Sequence, residues 1–142
     1  MTMTRGAAGY ARGAGAYARV GVESGVMSAS PHQLISMLFD GAGTAIRAAA
    51  LHMREGQVAE KGKAISKALD IVNNGLLAAL DREKGGELAD RMASLYDYIA
   101  RLLLNANLRN DPASLDEPQG YLRWSGGVAD LIAKDGQLEG QV

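Results

Sequence analysis

Apolar residues recur at helical spacing along most of the chain that follows residue 28. The first such run begins at Ser30 and Pro31, where serine suits a helix N-cap and proline suits the first helical position. Gln33 stands where a capping box places Glu or Gln. The run continues on one broad face until Gly56, a residue that suits a helix end. The pattern therefore predicts a first helix between these points.

Two more helices are predicted over residues 58–81 and 87–109, each with an apolar stripe that repeats every three or four residues. The turn between them contains Gly85 and Gly86, which adopt backbone conformations that other residues avoid. These two helices are therefore expected to be joined by a short turn.

A fourth helix is predicted after Asp111-Pro112, with Ser114 and Glu117 placed for a second capping box. Its pattern is interrupted by Pro118 and by Gly126-Gly127, residues that weaken or break helices. We therefore expect a helix that is kinked, shortened or shifted in register. Beyond residue 135 the tail, residues 136–142, is expected to fray.

Four amphipathic helices joined by short turns pack most simply as an antiparallel up-and-down bundle. Composition agrees, because aromatic residues make up only 5% of the chain, too few to furnish a sheet. A length of 142 residues is enough for one domain with a sizeable core. The predicted fold is all-α: an antiparallel four-helix bundle over residues 28–135, preceded by a flexible N-terminal arm, residues 1–27.

The arm is rich in glycine, and each glycine inside a helix costs about 1 kcal/mol relative to alanine, so no stable helix is predicted there. Arg5, Arg12 and Arg19 alternate with Tyr10 and Tyr17, a pattern that can bind single-stranded nucleic acid by charge and stacking. The whole chain has a net charge of −1, which gives it no strong attraction to nucleic acid or to an anionic membrane. Nucleic-acid binding by the arm is kept as the alternative function.

Residues suited to catalysis or metal binding do not form a recognisable site. His32 and His52 lie far apart on helix one, and no Glu-x-x-His pair is present. The segment "DGAGTA" at 40–45 lacks the spacing and the preceding strand of a phosphate-binding loop. We therefore predict a protein that is not an enzyme and needs no metal or cofactor.

The compartment is predicted from cysteine content and hydropathy. The chain has no cysteine, which fits a reducing cytoplasm. No apolar run is expected to span a bilayer, which takes about 18 or more residues. The prediction is a cytoplasmic protein without membrane insertion.

Helices two and three carry more apolar surface than the single stripe that a bundle helix usually buries. The surplus is explained either by a groove that is open to another polypeptide or by bundle packing that uses wide helix faces. The pattern alone leaves both explanations open. The additional positions are Ala64, Ile71, Gly75 and Ala78 on helix two and Ala89, Ala93, Ala100 and Leu104 on helix three.

Four segments form a specific combination, although no single one would be specific. They are "AYARVGVESGVMSASPHQLISMLFDGA" at 16–42, "SKALDIVNNGLLAALD" at 66–81, "GGELADRMASLYDYI" at 85–99 and "LLLNANLRND" at 102–111. Together they resemble the FliS family of flagellin-specific export chaperones, over about residues 17–115. The chain departs from the family pattern in helix four, so no contact with a client protein is assigned there.

The resemblance implies a four-helix bundle that binds the disordered C-terminal segment of newly made flagellin in the cytoplasm. Binding would prevent early polymerisation and assist delivery to the export gate, with regulatory proteins or co-chaperones as further partners. Either a monomer or a weak homodimer fits. The resemblance places the client in apolar grooves, and the candidate client-binding residues are Ile65, Ala68, Leu69, Ile71, Val72, Gly75, Leu76, Leu95, Tyr96, Tyr98, Ile99, Leu102, Leu103 and Asn107.

The resemblance also implies that the N-terminal arm folds over the apolar surface when no client is bound. Its candidate lid residues are Tyr10, Tyr17 and Val20. Burial of about 100 Å² of apolar surface per tyrosine ring contributes about 2.5 kcal/mol before ordering costs. A tethered lid acts at an effective concentration of roughly millimolar, so we expect it to lower client affinity without blocking binding.

Overall fold

The computed structural model describes the backbone of residues 29–140 and the side chains of residues 29–134. This part of the chain is all-α and contains no strand, which confirms the predicted fold class. The predicted lid residues Tyr10, Tyr17 and Val20 lie outside it. The elements are α1 (Pro31–Arg54), α2 (Val58–Asp70) with a π-helical continuation (Ile71–Leu77), α3 (Arg82–Arg109), a short 3₁₀ helix (Pro112–Leu115) and α4 (Asp116–Gly140).

The start of α1 confirms the predicted capping box. The Ser30 hydroxyl accepts a hydrogen bond from the Gln33 backbone N–H at 3.1 Å, and the Gln33 side-chain oxygen accepts one from the Ser30 N–H at 2.7 Å. These two bonds satisfy backbone donors that a helix start otherwise leaves unpaired. Past the end of α1, Gly56 has a φ of +71°, a conformation that glycine adopts at little cost.

The second helix differs from its prediction in both length and winding. It is α-helical only to Asp70 and continues as a π-helix over Ile71–Leu77, so it ends before the predicted residue 81. The π segment contains Asn73, Asn74 and Gly75, which have low helix propensity. Hydrogen bonds from i to i+5 bring residues five apart to nearly the same side, which lets Ile71 and Leu76 both face the core.

The third helix begins earlier than predicted and contains a break. Asp81 caps it by accepting a hydrogen bond from the Lys84 N–H at 3.0 Å. At Gly86 the backbone has φ 54° and ψ −131°, so one residue of the predicted glycine pair takes a conformation that other residues avoid. The helix ends at Asn110, whose φ of 53° places it in the left-handed region often found at helix ends.

The expectation of an interrupted fourth helix is wrong. α4 runs without a break from Asp116 through Gly140 and so includes most of the tail predicted to fray. Pro118 falls in the first turn, where the N–H that proline lacks would have no partner within the helix. Gly126 packs against Phe39 of α1, since a Cβ built there would lie 3.4 Å from the phenylalanine ring.

The predicted second capping box does not form. Asp111 instead caps the short 3₁₀ helix by accepting a hydrogen bond from the Ala113 N–H at 3.1 Å. Ser114 lies inside that 3₁₀ helix, and the Glu117 side chain accepts a hydrogen bond from Tyr98 of α3.

Contacts between neighbouring helices show that they run antiparallel. Near the start of α1, the Nε2 atom of His32 lies 3.1 Å from the Oδ1 atom of Asp130, which belongs to the second half of α4. Near the start of α2, the Lys61 ammonium donates to the backbone carbonyl of Asn107, close to the end of α3, at 2.9 Å. At the centre of the bundle, the Phe39 and Tyr96 rings lie 6.2 Å apart.

Within residues 29–140, one helix, α1, is long and apolar enough to cross a membrane by length and composition alone, contrary to the sequence-based expectation. Its apolar residues nevertheless have a partner within the bundle, because Leu38, Phe39 and Ile46 are buried in the core. Asp40 and Arg47 lie on its exposed side. The core helix of a bundle passes the same compositional test as a spanning helix.

Candidate functional site

Nine of the fourteen predicted client-binding residues are buried within the bundle. In the described conformation they pack against other parts of the bundle, although Leu76 and Tyr96 also line an apolar cavity at one end of it. These residues are Ile65, Ala68, Ile71, Val72, Gly75, Leu76, Tyr96, Ile99 and Leu103.

The other five predicted residues are at least partly accessible. Tyr98 is 43% exposed, and Leu95 and Leu102 are partly buried at positions of α3 that share its edge. Leu69 is partly buried on α2, and the backbone of Asn107 contacts α2 through Lys61. The structure thus brings Leu95, Tyr98 and Leu102 together and leaves Leu69 and Asn107 outside this group.

Tyr98 connects the edge of α3 to α4. Its ring lies 5.8 Å from the ring of Tyr121, and its hydroxyl donates a hydrogen bond to the Glu117 carboxylate at 3.2 Å. This hydrogen bond raises the pKa of Tyr98 above its ordinary value. The ring contact with Tyr121 and the hydrogen bond to Glu117 together hold the Tyr98 ring against α4 at the surface of the bundle.

Large apolar side chains continue along α3 and α4 on both sides of this aromatic pair. Trp124 is 60% exposed and Leu131 is 64% exposed, and Leu88 and Ile132 are about as exposed as Tyr98. Contiguous exposed apolar residues mark binding sites more often than isolated ones do. We call this surface the α3–α4 face; it comprises Leu88, Leu95, Tyr98, Leu102, Tyr121, Trp124, Leu131 and Ile132.

A cavity of about 440 Å³ lies at one end of the bundle, where the start of α1, the end of the second helix, the start of α3 and the second half of α4 meet. Apolar side chains dominate its lining, among them Ile35, Leu76 and Met92. Leu88 and Ile132 belong both to this lining and to the α3–α4 face. The end cavity and the face therefore form one continuous apolar surface.

Sequence reasoning missed the part of the face that α4 contributes. A signal was present, because Tyr121, Trp124, Leu131 and Ile132 follow the spacing i, i+3, i+10 and i+11 of one helix face. The assumed interruptions of the fourth helix hid this spacing. Once α4 is continuous, the four side chains share one side of it.

The described residues offer binding surface and little catalytic chemistry. Among residues 29–134, no three His, Asp or Glu side chains come together as a group that could hold a metal ion. A second cavity, of about 380 Å³ between α1 and α4, has a mixed lining in which Asp40, Arg47 and Arg123 stand beside Phe39 and Leu122. The larger, apolar surface on the other side of α4 is the stronger candidate for a binding site.

Residues 13–125 match a family model described as flagellar protein FliS. The chain belongs to the FliS family. The flagellar secretion chaperone FliS of Salmonella typhimurium is 58% identical over 112 residues, which cover 79% of this chain and 83% of that protein. Its Escherichia coli counterpart is 47% identical over 113 residues, covering 80% of this chain and 83% of the relative. The resemblance drawn from the sequence is confirmed.

More distant FliS proteins also match. The flagellar secretion chaperone FliS of Bacillus subtilis is 34% identical over 100 residues, which cover 70% of this chain and 73% of that protein. The FliS family match ends at residue 125, within α4. Leu131 and Ile132 lie beyond it, so this part of the α3–α4 face falls outside what the FliS family model describes.

Proposed function

We propose that this FliS-family chaperone binds the disordered C-terminal segment of flagellin in the cytoplasm, prevents its premature polymerisation and helps deliver it to the export gate. The observation that carries the proposal is the α3–α4 face, where large apolar side chains remain exposed although the bundle already has a complete core. Relatives described as flagellar secretion chaperones support it.

An apolar groove between two helices suits an amphipathic helix, which lays its apolar side into the groove. A disordered client gains apolar burial on binding and loses conformational entropy as it becomes ordered. The expected result is moderate affinity over a large surface. Of the residues predicted from the sequence, Leu95, Tyr98 and Leu102 are the ones that contact the client in this proposal, and the buried nine hold the helices that carry them.

We retain the proposal that the arm, residues 1–27, covers this surface through Tyr10, Tyr17 and Val20. Support comes from the place where α1 begins, because His32 in its first turn lines the end cavity. The start of α1, to which the arm is attached, therefore lies beside the apolar surface. A segment of 27 residues reaches at most about 97 Å when extended, and α1 is about 36 Å long.

The test is calorimetric titration of the full chain with a synthetic peptide from the C-terminal end of a matching flagellin, at low and high salt. We expect a stoichiometry near one to one, weak salt dependence and a negative heat-capacity change. Nucleic-acid binding by the arm, tested with a single-stranded oligonucleotide, would instead weaken steeply with salt. Absence of peptide binding at both salt concentrations contradicts the proposal.

Two variants connect the binding to the α3–α4 face. Tyr98→Ala is expected to weaken peptide binding, because it removes an exposed ring from the face. Leu51→Ala is the matched control, since Leu51 is 50% exposed but lies on α1. Equal losses of affinity in both variants would place the binding site elsewhere.

A further inference from the structure

We propose that the cavity between α1 and α4 binds a free α-amino acid, whose carboxylate is held by Arg47 and Arg123 and whose ammonium group is held by Asp40. The cavity measures about 380 Å³, within the range of about 300–1,000 Å³ that is typical of small-molecule sites. None of its lining residues belongs to the α3–α4 face. The inference therefore concerns a second site, separate from the one that carries the proposed function.

The residues that line this cavity recur at the same spacing on both helices. Each set stands at i, i+4, i+7 and i+11, which places it on one side of its helix. A Cβ built at Gly126 would lie 3.4 Å from the Phe39 ring, and one built at Gly43 would lie 3.9 Å from the Gln119 amide nitrogen. The two sets therefore face each other as the walls of one cavity. They are Ser36, Asp40, Gly43 and Arg47 on α1 and Gln119, Arg123, Gly126 and Asp130 on α4.

Three charged side chains of the cavity, Asp40, Arg47 and Arg123, have no ion-pair partner among residues 29–134. The fourth, Asp130, lies 3.1 Å from His32 and accepts a hydrogen bond from the Ser36 hydroxyl at 3.5 Å. Two cationic groups and one anionic group thus remain for a ligand. Guanidinium groups pair with carboxylates, and a carboxylate accepts hydrogen bonds from an ammonium group, so this combination suits a zwitterion.

The position of the Arg47 guanidinium brings opposite charges close enough for one small ligand. Side chains on a helix lean toward its N-terminus, and Nη1 of Arg47 lies 3.4 Å from a Cβ built at Gly43. Asp40 stands three residues before Gly43, about 4.5 Å along the helix axis. An α-amino acid carries its carboxylate and its ammonium group on one carbon, so both groups fall within reach of these side chains.

Gln119 provides a second, independent indication that Arg47 turns into the cavity. Its Oε1 atom is buried and accepts no hydrogen bond from any described residue, although a Cβ built at Gly43 would lie 4.0 Å from it and 3.4 Å from Nη1 of Arg47. A buried acceptor without a donor is unfavourable. Arg47 uses one N–H group on the Thr44 hydroxyl at 3.0 Å and has others to donate. A rotation of Arg47 toward Gln119 supplies the donor and directs the other edge of the guanidinium to the ligand.

The apolar part of the lining predicts the kind of amino acid. Phe39 and Leu122 line the cavity beside the charged groups, and Gly126 and Gly127 add no side chain that would fill it. An apolar ligand side chain gains burial against these residues. We therefore expect amino acids such as leucine to bind more tightly than charged ones.

The first experiment is thermal unfolding of the full chain with each of the common L-amino acids at about 10 mM. A ligand that binds the folded chain with a Kd of about 1 mM or less raises the midpoint by a few degrees. For leucine we expect a one-to-one complex in calorimetry, with a Kd between about 10 μM and 1 mM.

Two analogues test the requirement for both charges. The first, 4-methylpentanoate, is leucine without its ammonium group, and the second, 3-methylbutylamine, is leucine without its carboxylate. Each is expected to bind at least about tenfold more weakly than leucine, because charged hydrogen bonds are lost.

Arg47→Gln, Arg123→Gln and Asp40→Asn are each expected to raise the leucine Kd about tenfold or more. All three side chains are exposed, so the midpoint without ligand should stay unchanged. Asp40→Asn should leave the binding of 4-methylpentanoate unchanged, which a merely structural role of Asp40 does not predict. Arg54→Gln is the matched control, since Arg54 is exposed on α1 and lies outside the cavity.

The outcomes separate this site from the proposed function. A midpoint that no amino acid raises would overturn the inference, as would equal binding of leucine and 4-methylpentanoate. Leucine binding that survives all three cavity variants would place the ligand elsewhere and contradict the assignment. Tyr98→Ala should leave leucine binding intact, so a failure at one site does not affect the conclusion about the other.

Discussion

At the scale of single residues, two side chains with polar groups, Tyr96 and Lys61, are buried inside the bundle. Tyr96 is 3% exposed and packs against Phe39, and burial raises its pKa to about 12. Lys61 is 4% exposed and directs its ammonium to the carbonyl of Asn107. Both residues are therefore expected to contribute to the free energy of unfolding, and the apolar periodicity of the sequence does not predict either contribution.

Tyr96 should make the bundle sensitive to alkali. Its pKa is about 12 in the folded chain and about 10 when unfolded, so between these values the unfolded state loses a proton that the folded state retains. The contribution of Tyr96 to the free energy of unfolding is constant below about pH 10. It falls between about pH 10 and pH 12, by at most about 1.4 kcal/mol per pH unit. Urea unfolding at pH 9 and pH 11 checks this. Tyr96→Phe should show a smaller loss, and an equal loss would contradict the assignment.

Lys61 should stabilise the contact between α2 and α3. The Asn107 carbonyl belongs to the last turn of α3, where carbonyls have no partner within the helix, so Lys61→Ala removes its donor. The expected cost is about 1–3 kcal/mol in the free energy of unfolding, measured with urea. Lys61→Met retains the packing of the side-chain stem and isolates the hydrogen bond.

Lys63→Ala is the matched control for Lys61, because the Lys63 side chain is 76% exposed and pairs with nearby Glu60. Surface pairs of this kind contribute about 0–1 kcal/mol. If both alanine variants lose the same stability, the buried hydrogen bond has no special role.

At the scale of elements, glycines mark either a required backbone conformation or a weak point in a helix. Gly86 interrupts α3 with φ 54° and ψ −131°. Gly127 lies inside the continuous α4, and apart from its chain neighbours and the surrounding helix backbone no atom of the described residues lies within 4 Å of a Cβ built there. Glycine therefore has a different effect on stability at these two positions, because the backbone conformation differs between them.

Alanine substitutions at these two glycines should have opposite effects. Gly86→Ala forces a side chain into a strained conformation and should destabilise the chain by about 1–3 kcal/mol. Gly127→Ala should stabilise it by about 0.5–1 kcal/mol, because alanine is the better helix former and has space. Thermal or urea unfolding measures both. Destabilisation by Gly127→Ala would mean that α4 is not a regular helix at this point.

The sequence predicted the number and order of the helices and the start of α1 well, because Ser30 and Gly86 impose local geometry through capping and backbone freedom. The sequence did not predict the helix type or the helix continuity at positions where packing against the core selects one of several possible backbone conformations. The π winding after Asp70 and the continuity of α4 through Gly127 both depend on which residues the core accepts. Periodicity also could not separate the buried Tyr96 from the exposed Tyr98, since both lie on wide apolar faces of α3.

At the scale of the whole molecule, the bundle presents one extended apolar surface, the α3–α4 face with its end cavity. The start of α1, to which the proposed lid is attached, lies beside that surface, because His32 lines the end cavity. Lid and client would therefore compete for the same site, and client affinity would depend on the difference between two binding free energies.

Deletion of residues 1–22 should strengthen client binding. Each tyrosine of the arm contributes at most about 2.5 kcal/mol before ordering costs, so the expected fall in Kd is severalfold to roughly tenfold. Calorimetry with the flagellin peptide compares the truncated and full chains. An unchanged Kd would show that the arm does not cover the site. A chain with Tyr10→Ser and Tyr17→Ser retains the arm's length and separates loss of the rings from loss of the tether.

The π-helical segment also defines where the chain tolerates a change in length. Within it, Ile71 and Leu76 face the core although they stand five residues apart. Deleting one residue between them gives the i, i+4 spacing that an ordinary α-helix needs to keep both inside. A single deletion within α1 or α3 instead rotates all later residues of that helix by about 100°. In alignments of FliS proteins, one-residue gaps within helices should therefore cluster at positions 71–77, where insertion and loss leave the bundle assembled.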